Sequence, residues 1–384
     1  MLGGEFMKVV IAPDSYKGSL SSVSAAEAIA KGVKKALPSC EVISVPVADG
    51  GEGTMDSLVS ATGGKKVKVS VMGPLHKKVA AEYGVLGDEK TCVIEMASAS
   101  GLELIDKSER NPLIATTFGT GELIKKALDD GYRHFILAVG GSATNDGGAG
   151  MLQALGLKIM NDAGDEIGLG GEALGEVTSV QLDSLDSRIK DCQFLIASDV
   201  QNPFIGPNGA SHVFGPQKGA SPEVVETLDH YMGNWADVIE HATKVRLHDR
   251  PGAGAAGGIG GAFQAFFNAD MKRGIDLVIE YTGLKEKMVN ADCVFTGEGQ
   301  CDFQTASGKT PMGVAEAARI NHIPVFVLAG SIGKGIEELY EYGITSVHSL
   351  VTSPMELDEA MERSAELLAD AAERVMRTFI AFQR

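Results

Sequence analysis

The run Leu137-Ala-Val-Gly-Gly-Ser-Ala-Thr-Asn-Asp-Gly-Gly-Ala-Gly150 leaves this stretch of chain few ways to fold. Before it, His134 to Val139 is an almost unbroken apolar stretch that reads as a buried strand. After it, Met151-Leu-Gln-Ala-Leu155 reads as helix. Strand, glycine-rich turn and helix in that order form the repeating unit of α/β folds. Glycine lets the backbone take positive φ and approach a ligand closely. The N–H groups that open a helix then favour an anion. The stretch therefore reads as a phosphate-handling loop, in which Asn145 and Asp146 could hold a hydroxyl or a metal.

The same alternation recurs at both ends of the chain. Met7 to Ala12 is expected to be a strand, followed by a loop and a helix carrying Val23, Ala26, Ala30, Val33 and Leu37 at helical spacing. Ser24 and Glu27 give that helix a capping-box start. A second strand, Glu41 to Val47, ends in Ala48-Asp-Gly-Gly-Glu-Gly53. Near the C-terminus a short strand, Cys293 to Thr296, precedes Gly297-Glu-Gly-Gln-Cys-Asp302 and a helix from about Met312. Strand Val325 to Ala329, helix Gly335 to Tyr342, strand Thr345 to Val351 and one amphipathic helix follow. That last helix presents Leu357, Met361, Leu368, Val375, Phe379 and Phe382 on one face.

The middle differs, with three strand-like runs and no helix between them: Lys66–Met72, Val79–Leu86 and Thr91–Met96. The expected architecture is α/β, with a Rossmann-like parallel-sheet domain from residues 7–62 and 290–384 and a larger inserted mixed α/β domain, residues 63–289. Met1 to Phe6 precede a second methionine that opens the first strand, and are set aside as a short extension.

Composition narrows the function classes. A net charge of −17 argues against nucleic acid or an anionic membrane as partner. No apolar run approaches the roughly eighteen residues of a membrane span, so a cytoplasmic protein is expected. The cysteines Cys40, Cys92, Cys192, Cys293 and Cys301 are scattered and read as free thiols of a reducing compartment. Histidines show no metal-ligand spacing, and no G-x-S-x-G elbow is present.

Carboxylates recur just past apolar strands: Asp14, Asp49, Asp146, Asp199, Glu298 and Asp302. In parallel sheets that is where ligands bind. Acids gathered there would repel one another unless a cation or a shared proton intervened, and Mg2+ suits that position. Lys17, beside Ser15 and Ser19, and Lys218, within Phe214-Gly-Pro-Gln-Lys-Gly219, are candidates for a phosphate or carboxylate contact. Gly252-Ala-Gly-Ala-Ala-Gly257 fits G-x-G-x-x-G, but the segment before it, Lys244 to Arg250, is charged where a dinucleotide fingerprint needs a buried strand. Gly308-Lys-Thr310 lacks the earlier glycine of a P-loop, since Phe303 stands there, although Ser307 and Lys309 still fit phosphate contacts.

Together these blocks resemble the bacterial glycerate kinases of the type 1 class, which phosphorylate D-glycerate with ATP. The resemblance runs from Met7 to near the C-terminus. It rests on Ala12-Pro-Asp-Ser-Tyr-Lys17, Val45-Pro-Val-Ala-Asp-Gly-Gly-Glu-Gly53, Phe118-Gly-Thr-Gly-Glu-Leu123 and the Gly140–Gly150 loop. It continues in Asp199-Val-Gln-Asn-Pro203, Phe214-Gly-Pro-Gln-Lys-Gly-Ala220, Pro251-Gly-Ala-Gly-Ala-Ala-Gly-Gly258 and Thr296-Gly-Glu-Gly299 with Asp302, Gln304 and Gly308-Lys309. Two positions depart from the family pattern: Gln300 stands where a basic residue is usual, and Phe118 where Tyr or Arg is more common.

The resemblance implies an active site in a cleft between the two domains, with ATP and Mg2+ as cofactors. Gly140, Gly141, Ser142, Asn145, Gly147, Gly148, Gly254 and Gly257, with Ser307 and Lys309, would cradle the nucleotide. Asp199, Glu298 and Asp302 would supply the metal ligands, and Asp14, Ser15, Lys17 and Lys218 the substrate contacts. Lys17 would also assist transfer, and Asp49 or Asp146 would accept the hydroxyl proton. The product implied is 2-phosphoglycerate, although no residue here separates the 2- from the 3-hydroxyl. A small-molecule substrate, no nucleic acid, no membrane, and a monomer or homodimer complete the expectation. The alternative is a nicotinamide-dependent oxidoreductase of a small hydroxy acid, built on Gly252–Gly257.

Overall fold

Strand-forming and helix-forming segments alternate through most of the computed structural model, which describes residues 7–303, 305 and 308–382. The chain divides into two compact units: Met1–Asp49, Asp56–Thr62 and Arg273–Arg384 form the first, and Gly50–Met55 with Gly63–Lys272 the second.

In the first unit five parallel strands lie in the order Glu41–Ser44, Lys8–Ile11, Cys293–Cys301, Val325–Ile332, Ile344–Ser349. Numbered along the chain, that order is 2-1-3-4-5, a doubly wound sheet whose direction of winding reverses between Lys8–Ile11 and Cys293–Cys301. Val9, Val10 and Ile11 are fully buried, as strands covered on both faces must be. The helix Gly274–Thr282, which sequence reading left with the insert, belongs to this unit. Arg273 at its start pairs with Glu316 of the helix Thr310–Arg319 at 3.0 Å.

Three local expectations are corrected here. The first helix, Ser22–Ala36, starts earlier than the Ser24/Glu27 pattern implies; its cap is Ser21, whose hydroxyl accepts the Ser24 N–H at 3.1 Å. The last helix is two, Leu357–Glu362 and Ser364–Phe382, parted at Arg363. The break interrupts the apolar stripe: Leu357 before it is 72% exposed, whereas Leu368 beyond it is buried. Thirdly, the strand from Cys293 continues through Gly297-Glu-Gly to Cys301, so Glu298 is a strand residue and not a loop residue. Glycine makes this possible, because a Cβ on Gly297 would strike the Leu328 carbonyl and the Tyr16 hydroxyl.

The second unit holds a six-stranded sheet in the order Asp270–Lys272, Gln193–Ala197, His134–Ala138, Thr91–Glu95, Lys78–Val85, Lys65–Met72. The first four run parallel, and the last two form an antiparallel hairpin at the edge. That hairpin sits where the alternating pattern put it, with Lys65, Lys66 and Lys68 exposed on the outermost strand. A small antiparallel pair, Lys158–Met160 with Ser179–Gln181, stands apart from the main sheet. Phe135 stacks on Phe194 at 4.9 Å in the core, and the fully buried Trp235 donates to the Gly147 carbonyl at 3.1 Å. No helix among the described residues is long and apolar enough to cross a membrane.

Candidate active site

Ligands of open parallel sheets bind beyond the carboxyl ends of the strands, where the winding reverses. In the first unit that point carries acids. Asp14 leaves the first strand and is anchored by its own N–H, which donates to the Gly297 carbonyl at 2.9 Å. Its carboxylate accepts the Ser15 N–H at 2.6 Å and the Thr310 hydroxyl at 2.5 Å. Glu298, on the adjoining strand, accepts the Thr305 hydroxyl at 2.6 Å. Tyr16 closes the floor, donating to the Leu328 carbonyl at 2.7 Å.

These acids are held against their charge. Burial, then the negative charge of Asp49, pushes Asp14 up to about 7, with Glu298 adding to the effect and the Thr310 and Ser15 bonds opposing it. Burial likewise pushes Glu298 up to about 7, with Asp49 and Asp302 adding; the Thr305 bond and the Lys309 charge oppose. Asp14 and Glu298 are only 9% and 8% exposed. Carboxylates within one another's electrostatic reach are the donor type that suits a hard cation such as Mg2+, although among the described residues no three of them offer oxygens within 4.8 Å of one another.

Around this cluster Lys17 is exposed and Ser15 half-buried, its N–H already spent on Asp14. Lys309 stands at the residue before the helix Thr310–Arg319, close enough for its charge to reach Glu298. Gln300 donates to Asp302 at 2.9 Å. Ser307 and Gln304 lie outside the described residues. Asp199 belongs to the second unit, two residues beyond the strand Gln193–Ala197.

The second unit reverses part of the sequence reading of the Gly140–Gly150 loop. Asp146 is fully buried, and its carboxylate accepts the Thr117 N–H and hydroxyl at 2.8 Å each, the Gly148 N–H at 3.2 Å and the Gly150 N–H at 3.4 Å. The anion at the start of the short helix Ala149–Ala154 is thus the protein's own carboxylate, which takes donors the sequence reading gave to phosphate. Burial holds Asp146 above the ordinary carboxylate range despite those bonds. Gly147 donates to the Gly257 carbonyl at 3.0 Å, and Asn145, fully buried, donates to the Ser211 hydroxyl at 2.9 Å. Only Gly140 and Gly141 reach solvent, and Gly141 has the positive φ of 77° that glycine tolerates.

Lys218, expected at a ligand, lies behind this loop at 2% exposure, donating to the Ser142 hydroxyl at 2.7 Å and the Thr144 carbonyl at 2.6 Å. Gly254 and Gly257 face protein as well: a Cβ on either would strike the Pro203 or the Thr144 carbonyl. The segment before them forms no strand, so Gly252–Gly257 is a packing turn and not a dinucleotide fingerprint. Phe118 opens the helix Phe118–Asp129, its N–H donating to the Thr116 hydroxyl at 3.2 Å.

Sequence reading missed Thr116, Thr117, Thr305, Thr310 and Ser211, the hydroxyls that hold the acids and Asn145. Only Thr310 carried a signal, since Pro311 beside it marks a helix start.

A family model described as the glycerate kinase family matches residues 9–380. The glycerate kinase of Bacillus subtilis (strain 168) is 49% identical over 366 residues, covering 95% of this chain and 96% of that protein. The glycerate 2-kinase of Escherichia coli (strain K12) is 47% identical over 372 residues, 97% of this chain and 98% of its own. A crystal structure described as a glycerate kinase 2 from Salmonella typhimurium LT2 superposes with a TM-score of 0.88 at 44% identity, covering 99% of this chain and 100% of that one.

Proposed function

The chain belongs to the glycerate kinase family, and we propose that it transfers the γ-phosphoryl group of ATP to the 2-hydroxyl of D-glycerate, as a monomer or homodimer in the cytoplasm. The observation that carries this reading is that Asp14, Asp49 and Glu298 lie within one another's electrostatic reach where the first sheet's winding reverses. Phosphoryl transfer asks a protein for positioning and charge neutralisation more than for covalent chemistry.

Asp14, Glu298 and Asp302 are the residues that would hold Mg2+. Asp14 thereby moves from the expected substrate contacts to the metal ligands. Mg2+, when bound, neutralises charge on the phosphates and lifts the repulsion among these acids. Asp49 accepts the proton of the attacking hydroxyl, a role worth roughly 10²–10⁴-fold when well placed. Asp146, with its oxygens committed to the loop, positions and does not exchange protons with substrate. Lys17 pairs with the glycerate carboxylate. In the second unit the turn at Gly140–Gly141 receives nucleotide phosphate through the exposed Gly141, the Gly140 N–H donating to the Gly50 carbonyl at 3.4 Å. In the first unit the Lys309 ammonium carries the charge that Gln300 does not supply.

A coupled assay of ADP release with D-glycerate, L-glycerate and glycerol side by side tests the reading. Turnover with D-glycerate alone is expected, and phosphorus NMR of the product should give 2-phosphoglycerate. Absence of ATP-dependent turnover with any glycerate would remove the proposal. Exclusive formation of the 3-phosphate would keep the kinase and overturn the acceptor.

A further inference from the structure

We propose that Lys218 is a positioning residue for the nucleotide, fixing the Gly140–Gly141 turn from behind and never touching the substrate. This inference rests on the kinase reading given above. Lys218 ends the single 3-10 turn Pro216–Lys218, which Gly219 closes with a φ of 96°. Its side chain runs inward and is buried to 2% exposure. There the ammonium donates to the Ser142 hydroxyl and the Thr144 carbonyl, which lie one and three residues beyond the exposed Gly141. The other side of the same stretch is pinned to the backbone of Ser100–Leu102. Ala143 donates to the Ser100 carbonyl at 2.9 Å, and Leu102 donates to the Gly141 carbonyl at 2.9 Å.

Glycine-rich turns have many accessible conformations, and only a few aim their N–H groups outward together. Without Lys218, the Thr144 carbonyl and the Ser142 hydroxyl would lose this inner partner, a side-chain cation that ties both to a single point. A buried lysine is costly unless its hydrogen bonds are made. Its presence at this point, when an apolar side chain could fill the same volume, signals a requirement on the loop. Asp146 is the charge whose field reaches the ammonium; on the neighbouring turn Arg110 donates to the Gln217 carbonyl at 3.1 Å and holds the segment in place. Burial lowers the Lys218 pKa to about 7, with Asp146 opposing, in keeping with an amine withdrawn from water.

Steady-state kinetics of Lys218→Met and Lys218→Gln, varying ATP and D-glycerate separately, test this. The wild-type enzyme is assayed first: no ATP-dependent turnover there would refute the kinase reading itself, before any variant is made. With turnover established, Lys218→Met is expected to raise KM for ATP by about tenfold or more and leave KM for D-glycerate within about twofold. Lys218→Gln, one bond shorter than lysine but still a hydrogen-bond donor, should raise KM for ATP less than Lys218→Met does. Should Lys218→Met fail to fold, Lys218→Gln must still show a raised KM confined to ATP. Three results would each overturn the proposal. One is a rise in KM for D-glycerate alone, which would put the ammonium on the acid. Another is unchanged kinetics in both variants. The last is activity that falls only in proportion to the folded fraction measured by circular dichroism, with both KM values intact.

Discussion

Thr117 donates both its N–H and its hydroxyl to one oxygen of Asp146, at 2.8 Å each, and the same hydroxyl accepts the Met151 N–H at 2.9 Å. One small side chain thus links a buried carboxylate to the helix that follows the loop. Thr117→Val keeps the volume and removes the hydroxyl, leaving the Met151 N–H without this partner and Asp146 short of a donor. Unmade buried hydrogen bonds cost about 1–3 kcal/mol each, so a loss of about 2–4 kcal/mol in urea unfolding is expected. Thr117→Ser should restore most of it. A Thr117→Val change below about 0.5 kcal/mol would show that Asp146 does not organise the loop.

Stability should also depend on pH through Lys218. Burial lowers its pKa from 10.5 to about 7, with Asp146 opposing. Between those values the unfolded chain holds a proton that the folded one has lost, so stability rises with pH across the window, by at most about 1.4 kcal/mol per pH unit. Below about 7 both states are protonated and the dependence vanishes. Buried thiols such as Cys301, pushed up to about 11, act in the opposite sense above their ordinary range near 9. The clean comparison is therefore wild type against Lys218→Met between about pH 7 and 8.5. The stability difference should shift in favour of wild type as pH rises; a constant difference contradicts the burial of a titrating ammonium.

Most strands of both sheets were legible in sequence because they are either continuous apolar runs, as in His134–Ala138, or alternations, as in Lys65–Met72; the short polar edge strand Asp270–Lys272 was not. The acid cluster was legible in part, since Asp14, Asp49 and Glu298 follow or end strand patterns. What sequence could not show was which donors each acid would find. A glycine-rich stretch before a helix has the same pattern whether its N–H groups await a phosphate or are filled by a carboxylate four residues back, as Asp146 fills the Gly150 N–H. Lys218 misled for a related reason: a lysine beside glycines reads as a surface contact, and burial is set by residues such as Ser142 and Thr144, distant in the chain. Gly254 and Gly257 likewise face backbone carbonyls that only the fold brings to them.

Metal dependence follows from Asp14 and Glu298 lying within electrostatic reach of each other. Each is raised to about 7, so in metal-free protein stability is fully present below the ordinary carboxylate range and is lost as pH climbs from about 4 to 7. At pH 7.5 in EDTA, Asp14→Asn should therefore melt no lower than wild type, with the relieved repulsion offsetting the weakened Thr310 bond. Adding Mg2+ should raise the wild-type melting temperature clearly and that of Asp14→Asn much less. Equal Mg2+ stabilisation in both proteins would take Asp14 out of the ligand set. EDTA should abolish turnover, and Mg2+ should restore it.

Asp49 offers the sharpest separation of catalysis from stability. Its charge raises both Asp14 and Glu298. Replacing it with Asn keeps the shape and removes that charge, so the folded protein should become more stable at neutral pH, where the repulsion is felt. The same change removes the proton acceptor, and kcat should fall by about 10²–10⁴-fold with KM for ATP nearly unchanged. A rising melting temperature together with a collapsing kcat is the pattern of a residue kept for chemistry against its own cost to stability. Should KM for D-glycerate rise instead while kcat holds, Asp49 binds the substrate and some other group takes the proton. A melting temperature that drops along with kcat would point to a structural carboxylate, as Asp146 is, and the assignment of the base would have to move elsewhere in the first unit.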